Sequence, residues 1–524
     1  MPGSTCQKTT DSRLRSVSAV VVPQEMATTR TMAELLVPDR KLGSDPTWSE
    51  SLKNTVKSSY IVYLLPLVPV AWALHFSHQS DVIVFVFSFL AVIPLASLLS
   101  FATEQLALRT GDALGGLLNA TFGNAVELLI SILALVKGEI GLVQASMIGS
   151  ILSNTLLVLG CCFLAGGLRF HEQIYSTSAT QLQISLLGIA MCALVLPAAF
   201  QFSLSSLSTT VATRPIEEIT DLDSSQRATL LSISRGVSFM LLSTYAVYLV
   251  FQLYTHAYLF KRRPQANKRP HHEPGEPHPN HEKVIPINEW VAAVRSRGSA
   301  SSSSDGLTPT TTRDTTLMHT NTIDGTTGNS TAIDVELGGI APPSIRDNRS
   351  MLEFGTDDDE EEEEKPLVKA IFALVLLLAV TGITGVTAEF LVSSINGVTE
   401  STSMSPEFVG MILLPIVGNV PEHVCAVTVS IKDKLDLSLS IAVGSTIQVA
   451  LGILPLLVLI GWAMGQPMSL FFDAFQIISL AVSLIIVQFA ISDGRSCFAE
   501  GYILIMTYCI FALCSWYYDP SKII

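Results

Sequence analysis

The chain has 524 residues, of which 49% are apolar and only 15% charged, against about 25% charged in soluble proteins. The apolar residues gather in blocks of about 20, the length that crosses a bilayer core of about 30 Å, which points to a polytopic membrane protein rather than a soluble domain. The formal net charge of −14 says little about partners. Eight negatives form one run, Asp357, Asp358, Asp359, Glu360, Glu361, Glu362, Glu363 and Glu364, and the basic residues are too scattered to suggest nucleic-acid binding.

Residues 1–52 are rich in Ser and Thr and carry no long apolar stretch, so they read as a disordered cytosolic tail without a signal peptide. Eleven apolar spans follow, near 57–76, 81–107, 112–136, 140–165, 178–201, 230–260, 366–395, 406–431, 436–462, 469–491 and 496–518. The loops between them are short except for residues 261–365, whose Pro, His, Ser, Thr and Gly cannot bury a core. The stretch His271–His281 within it reads as a solvated His-rich linker, and the acid run closes it. The predicted fold is all-α, with about eleven transmembrane helices: a leading helix at 57–76, a first five-helix group at 81–260, the long loop, and a second five-helix group at 366–518.

Loop charges set the orientation. Lys53, Arg109, Arg169, Lys261, Arg262, Arg263, Lys432, Lys434 and Arg495 fall on one side of alternating spans; Lys137, Arg214, Arg227 and Lys522 fall on the other. The positive-inside rule then puts the N-terminus and the long loop in the cytosol and the C-terminus in the lumen. Of the eight cysteines, seven lie in apolar spans and none forms a C-x-x-C pair, so they are read as small buried hydrophobes.

The two groups are related. Gly123-Asn-Ala-Val-Glu127 matches Gly418-Asn-Val-Pro-Glu422 at an offset of 295, and the same offset pairs Lys137 with Lys432, Leu142 with Leu437, Gly149-Ser150 with Gly444-Ser445, and Leu156 and Leu159 with Leu451 and Leu454. Five spans separate the copies, an odd number, so they are inverted in the membrane. Inverted repeats are a common transporter plan, with the substrate site at the repeat interface near the midplane. Glu104 in T-E-Q-L and Glu389 in A-E-F-L give a weaker match of the same kind.

Glu127 and Glu422 lie inside apolar spans, where a carboxylate costs at least about 2.5–3.5 kcal/mol and calls for a cavity or a partner. Asn124 and Asn419 share their helix faces at a spacing of three. On the following spans Ser150 pairs with Asn154, and Ser445 with Gln448, on one face. Carboxylate, amide and hydroxyl oxygens without thiolates suit a hard cation, with calcium ahead of zinc or copper and magnesium fitting less well. Gly123, Gly418, Pro415 and Pro421 weaken or break the helix ladder beside the acids and free backbone carbonyls for the same shell.

At these residues the chain resembles the cation/proton exchanger family of the calcium:cation antiporter superfamily, and within it the fungal vacuolar members. The resemblance rests on NATFGNAVELLISILALVKGEIGLVQASMIGSILSNTLLVLG, on GNVPEHVCAVTVSIKDKLDLSLSIAVGSTIQVALGILPLLVLIGW and on SFATEQLALRTGDALGGLLNA, and it covers roughly residues 57–518. It implies calcium coordination by Glu127 and Glu422, with oxygens near Gly123, Asn124, Gly418 and Asn419, and a cytosolic acidic segment where the acid run stands. Val420 and Pro421 depart from the small residues usual between Asn and Glu in the second motif.

The expected activity is exchange of calcium for protons across a vacuolar or other internal membrane. Glu127 and Glu422 bind either ion in turn, and His423, Glu104 and Glu389 are candidates for proton coupling. Another cation on the same scaffold (manganese, or calcium coupled to sodium) and a cation channel are the alternatives. An aspartyl protease is disfavoured because Asp112 in R-T-G-D lacks the first Gly of G-x-G-D. No enzyme activity and no cofactor are expected. The partners are the transported ions and the lipid bilayer, and a homo-oligomer is compatible with this reading.

Overall fold

A computed structural model of the chain describes residues 43–207, 224–256 and 366–518. The His-rich linker, the acid run and residues 1–42 lie outside these described residues. Helices dominate: α1 (Trp48–Lys57), α2 (Tyr60–Phe76), α3 (Asp81–Ala107), α4 (Gly111–Phe122), α5 (Ala125–Val136), α6 (Ile140–Arg169), α7 (Thr177–Leu207), α8 (Arg227–Thr255), α9 (Ala370–Ser401), α10 (Pro406–Gly418), α11 (Val420–Ser430), α12 (Leu435–Ala463), α13 (Ala474–Ala490) and α14 (Phe498–Tyr517). Within the described residues every expected span falls largely on helix. By length and composition seven of these helices can cross a membrane, and nine spans result when the bent pairs α1–α2 and α10–α11 are each counted as one. The count of eleven is not reached this way, because α5 and α13 are apolar but shorter than a full crossing.

The leading segment differs from expectation. Helix begins at Trp48, inside the stretch read as a disordered tail, and α1 meets α2 at 88°. The cause is local: Thr47 caps α1 with a capping box to Glu50, a T-x-x-E signal at the very start. Ser59, in extended backbone, then caps the 3-10 turn that opens α2.

The offset of 295 recurs in three dimensions. α4 and α5 register with α10 and α11, and α6 registers with α12. α6 and α12 are the most enclosed long helices, 83% and 67% buried over their apolar windows, and form the centre of one continuous apolar core. Both carry a π-helical stretch at the matching place, Ser153–Val158 and Val449–Ile453. Pro455 follows the second, and Pro415 follows a third at Val409–Leu413; a proline lacks the N–H that an α-turn needs, so the ladder slips to the wider turn. Gly149 of α6 sits directly on the Met411 carbonyl in that slipped turn, where a Cβ would come within 2.2 Å of the oxygen. α3 and α9 pack along one another outside this centre.

The fold is nearly all-helical, as expected; the exception among the described residues is a short antiparallel pair, Gln173–Ile174 with Arg495–Ser496, joining the α6–α7 and α13–α14 connections. One further expectation changes. Of the seven described cysteines only Cys162 is buried, whereas Cys192, Cys425, Cys509 and Cys514 are exposed. Their spans are apolar, but an apolar environment is supplied equally by lipid.

Candidate functional site

The two acids stand at equivalent places on broken helices. The chain leaves α4 at Phe122, passes through Gly123 and Asn124, and restarts as α5, with Glu127 in its first turn. It leaves α10 at Gly418, passes through Asn419, and restarts as α11, with Glu422 in its first turn. α10 and α11 are bent by 59° at this break. Pro421 in the first turn fits because the first N–H groups of a helix have no partner to lose. The effect of Val420 and Pro421 is small, since the break falls within one residue of its counterpart in the first repeat. A helix N-terminus carries partial positive charge, which favours an anionic carboxylate or an anionic pair sharing a cation.

Asn124 and Asn419 occupy cap positions, yet neither side chain caps its own helix. Each reaches across to the other repeat instead. Ser445 Oγ donates to Asn124 Oδ1 at 3.2 Å, and Asn419 Nδ2 donates to Ser150 Oγ at 3.2 Å. Ser150 and Ser445 are matched residues, so the two contacts are images of each other. Asn154 adds a contact without a counterpart, since Val449 stands at its matched position: its amide donates to Ser445 Oγ at 3.1 Å, and its Oδ1 is buried and unpartnered. The sequence placed Asn154 on the face of Ser150; its role as the donor that holds Ser445 comes from the structure.

Glu127 is buried and both of its carboxylate oxygens lack a hydrogen-bond partner; Glu422 is half-buried with Oε2 unpartnered. Glu422 lies within reach of the charge of Glu127. Glu127 packs against the backbone of the opposite repeat, where a Cβ on Gly418 would come within 2.6 Å of its Oε1. Gln448 contributes a buried, unpartnered Nε2. His423 Nδ1 lies 2.7 Å from the Asn419 carbonyl, which can only accept, so Nδ1 carries the hydrogen and the buried Nε2 is left without a partner. Unpartnered buried carboxylate oxygens are costly unless a proton or a cation satisfies them. Among the described residues no three His, Cys, Asp or Glu side chains cluster as a metal cage. A cation held here would therefore draw on two carboxylates and on neutral oxygens of Asn, Ser and backbone.

Glu104 and Glu389 stand apart from this cluster, both exposed, on α3 and α9. Cys425, one turn beyond Glu422, lies within reach of the charges of both Glu104 and Glu422. Glu389 lies beside Lys137, the residue after α5: Lys137 Nζ bonds the Glu389 carbonyl at 3.4 Å and Ser393 Oγ, while Asn396 Nδ2 donates to Glu139 at 2.9 Å. Lys137 is held below the usual lysine range by partial burial, an effect opposed by Glu389 and Glu139.

Comparison with known proteins gives the same picture. A family profile described as Sodium/calcium exchanger protein matches residues 80–254 and 372–517. A vacuolar calcium ion transporter of Cryptococcus neoformans var. grubii is 42% identical over 548 residues, covering 99% of this chain and 85% of its own. A Ca(2+)/H(+) antiporter of Aphanothece halophytica is 34% identical, covering 88% of this chain and 98% of its own. The solved structure of the selenium-substituted Ca2+/H+ antiporter protein YfkE superposes with a TM-score of 0.57 at 25% identity, over 87% of this chain and 99% of that one. With both repeats inside the matched residues, the chain belongs to the sodium/calcium exchanger protein family.

Proposed function

We propose that this chain exchanges calcium for protons across an internal, vacuole-type membrane. One observation carries the reading: two carboxylates, Glu127 and Glu422, sit at the starts of half-helices in inverted repeats, with oxygens that nothing in the protein satisfies. Two ionised carboxylates carry −2, which one calcium or two protons neutralise. The empty, doubly charged site is the costly state in a low-dielectric interior, so the site changes sides when occupied and resists doing so when empty. That rule couples the two fluxes without leak. Relatives named for vacuolar calcium transport and for Ca2+/H+ antiport support the choice of ions and membrane.

On this reading Asn124, Asn419, Ser150, Ser445, Gln448 and the backbone at Gly123 and Gly418 complete the calcium shell or hold its ligands, and His423, Glu104 and Glu389 serve proton movement. The N-terminus and the 261–365 loop are cytosolic and the C-terminus lumenal. Asn329 and Asn348, both in N-x-S/T sequons of that loop, then stay unglycosylated. The acid run gathers calcium near the membrane within the roughly 8–10 Å of the screening length.

The deciding experiment is calcium uptake into proteoliposomes with an imposed pH gradient, with and without sodium. Uptake that follows the proton gradient and ignores sodium supports the proposal. Uptake that follows a sodium gradient, or manganese transported in preference to calcium, replaces it.

A further inference from the structure

α1 has a face that the exchange reaction does not use. Trp48, Leu52 and Val56 recur at a spacing of four and form one exposed apolar row. Ser51 and Thr55, on the neighbouring face, are buried against the protein. Lys53 and Lys57 flank the row on its other side, while Glu50 is taken up in capping Thr47. α1 turns 88° from α2, so where α2 crosses the membrane α1 lies along its surface. Exposed Tyr60, Tyr63 and Leu64 follow the row along the chain in α2, and the Trp48–Phe372 contact sets it beside α9, where Ile371, Leu374 and Val375 are exposed, which places it at the margin of the lipid-facing belt. An apolar row with flanking lysines, set in the membrane plane, matches the physical pattern of an interfacial helix.

α1 also grips the residues that lead into α9. Asn54 Nδ2 donates to the Leu367 carbonyl at 2.8 Å, and the Lys369 amide donates to Ser51 Oγ at 3.2 Å. Trp48 packs edge-on against Phe372 with centroids 5.9 Å apart, and Lys369 Nζ lies 5.7 Å over the Trp48 ring. From the end of α3, Gln105 accepts from the Leu367 amide at 2.8 Å, and Arg109, paired with Asp45 at 2.8 Å, donates to the Val368 carbonyl at 2.6 Å. The backbone just before α9 is thus held between α1 and the foot of α3.

We propose that α1 is a membrane-surface helix that seats Trp48, Leu52 and Val56 among the headgroups of an anionic leaflet, with Lys53 and Lys57 on lipid phosphates, and so anchors the start of α9 to the bilayer surface. The lipid is the chosen occupant because the row is continuous with the lipid-facing belt and because its flanking charges are cationic.

The test uses the full chain in nanodiscs. Emission from Trp48, isolated by subtracting the Trp48→Phe variant, is quenched by lipids brominated either near the headgroup or at the chain end. The proposal expects shallow bromines to quench at least about twofold more than deep ones. Amide exchange across residues 50–57 is then compared in phosphatidylcholine alone and with about a third phosphatidylserine; it slows at least about threefold with the anionic lipid, and the Lys53→Gln, Lys57→Gln double variant loses that difference. Trp48 emission untouched by either brominated lipid overturns the proposal, as does amide exchange equally slow in both bilayers. Equal protection in detergent micelles also overturns it and assigns the face to a protein occupant.

Discussion

Ser445 of the second repeat donates to Asn124 of the first at 3.2 Å, and the matched pair, Ser150 and Asn419, repeats the contact in the opposite direction across the molecule. Each asparagine belongs to a broken helix and each serine to an enclosed one, so the two repeats position each other's acids. Asn154 loads Ser445 with a second bond that Ser150 does not receive from the matched Val449. Ser445→Ala therefore releases two residues, Asn124 and Asn154, and Ser150→Ala releases Asn419 alone. At about 0.5–1.5 kcal/mol per partner released, Ser445→Ala weakens apparent calcium affinity about 5- to 150-fold and Ser150→Ala about 2- to 12-fold. Calcium titrations of uptake check the order; equal effects would show that Asn154 contributes nothing through Ser445.

Glu127→Gln and Glu422→Gln keep shape and remove one charge each. A divalent cation then faces a site of −1, a loss of at least about 3 kcal/mol, or roughly 100-fold in proton-driven uptake. The variants still fold and reach their membrane, because neither oxygen of Glu127 nor Oε2 of Glu422 holds another part of the protein. Transport assays beside size-exclusion profiles check this; near-normal uptake removes the substituted acid from the site.

Gly149 and Gly444 are matched in sequence and differ in space. A Cβ at Gly149 meets the Met411 carbonyl at 2.2 Å, whereas a Cβ at Gly444 meets nothing within 4 Å. Gly149→Ala forces α6 and α10 apart and destabilises by about 1–3 kcal/mol. Gly444→Ala is neutral or stabilising by a few tenths of a kcal/mol, since alanine favours helix. Thermal unfolding of the purified variants separates them, and equal melting temperatures would contradict the close approach.

His423 offers a free Nε2 next to Glu422, while its Nδ1 is committed to the Asn419 carbonyl. A proton on Nε2 makes the ring cationic and opposes calcium beside it, so acid on the side of the open site suppresses uptake. His423→Ala removes that charge. The acid limb of the uptake profile then moves to lower pH by about half a unit or more, ~0.7 kcal/mol, with smaller change in the maximal rate. An unmoved profile returns His423 to a purely structural role.

Much of this architecture was legible in the sequence, for identifiable reasons. Gly123-Asn124 and Gly418-Asn419 announce broken helices, and the offset of 295 fixes which residues are equivalent across the inversion; that the equivalents contact each other's partners, Asn124 with Ser445 and Asn419 with Ser150, comes from the structure. The π-helical turns were only half legible: Pro415 and Pro455 explain two of them, but nothing in Ser153–Val158 marks the matching turn of α6. The exposed cysteines were hidden because hydropathy reports an apolar environment without telling lipid from protein. The start of α1 was signalled by Thr47 and Glu50, a capping pair standing before a helix too short to be read as a span, whereas the right-angle turn after it falls at Ser58 and Ser59. The inequality between buried Glu127 and half-buried Glu422 has no trace in the G-N-x-x-E pattern that the two motifs share.

The swapped Ser–Asn contacts bear on direction. Turning an inverted pair of repeats end over end brings each acid, asparagine and serine onto its partner, so the membrane meets nearly the same machine from either side. A catalyst with that symmetry has no preferred sense of flow, and detailed balance forbids it to rectify. Whichever compartment holds the steeper ion gradient sets the direction, and collapsing or reversing that gradient runs the same site backwards. Only features that break the symmetry, among them Asn154 opposite Val449 and His423 opposite Leu128, can make the forward and reverse rates saturate at different concentrations.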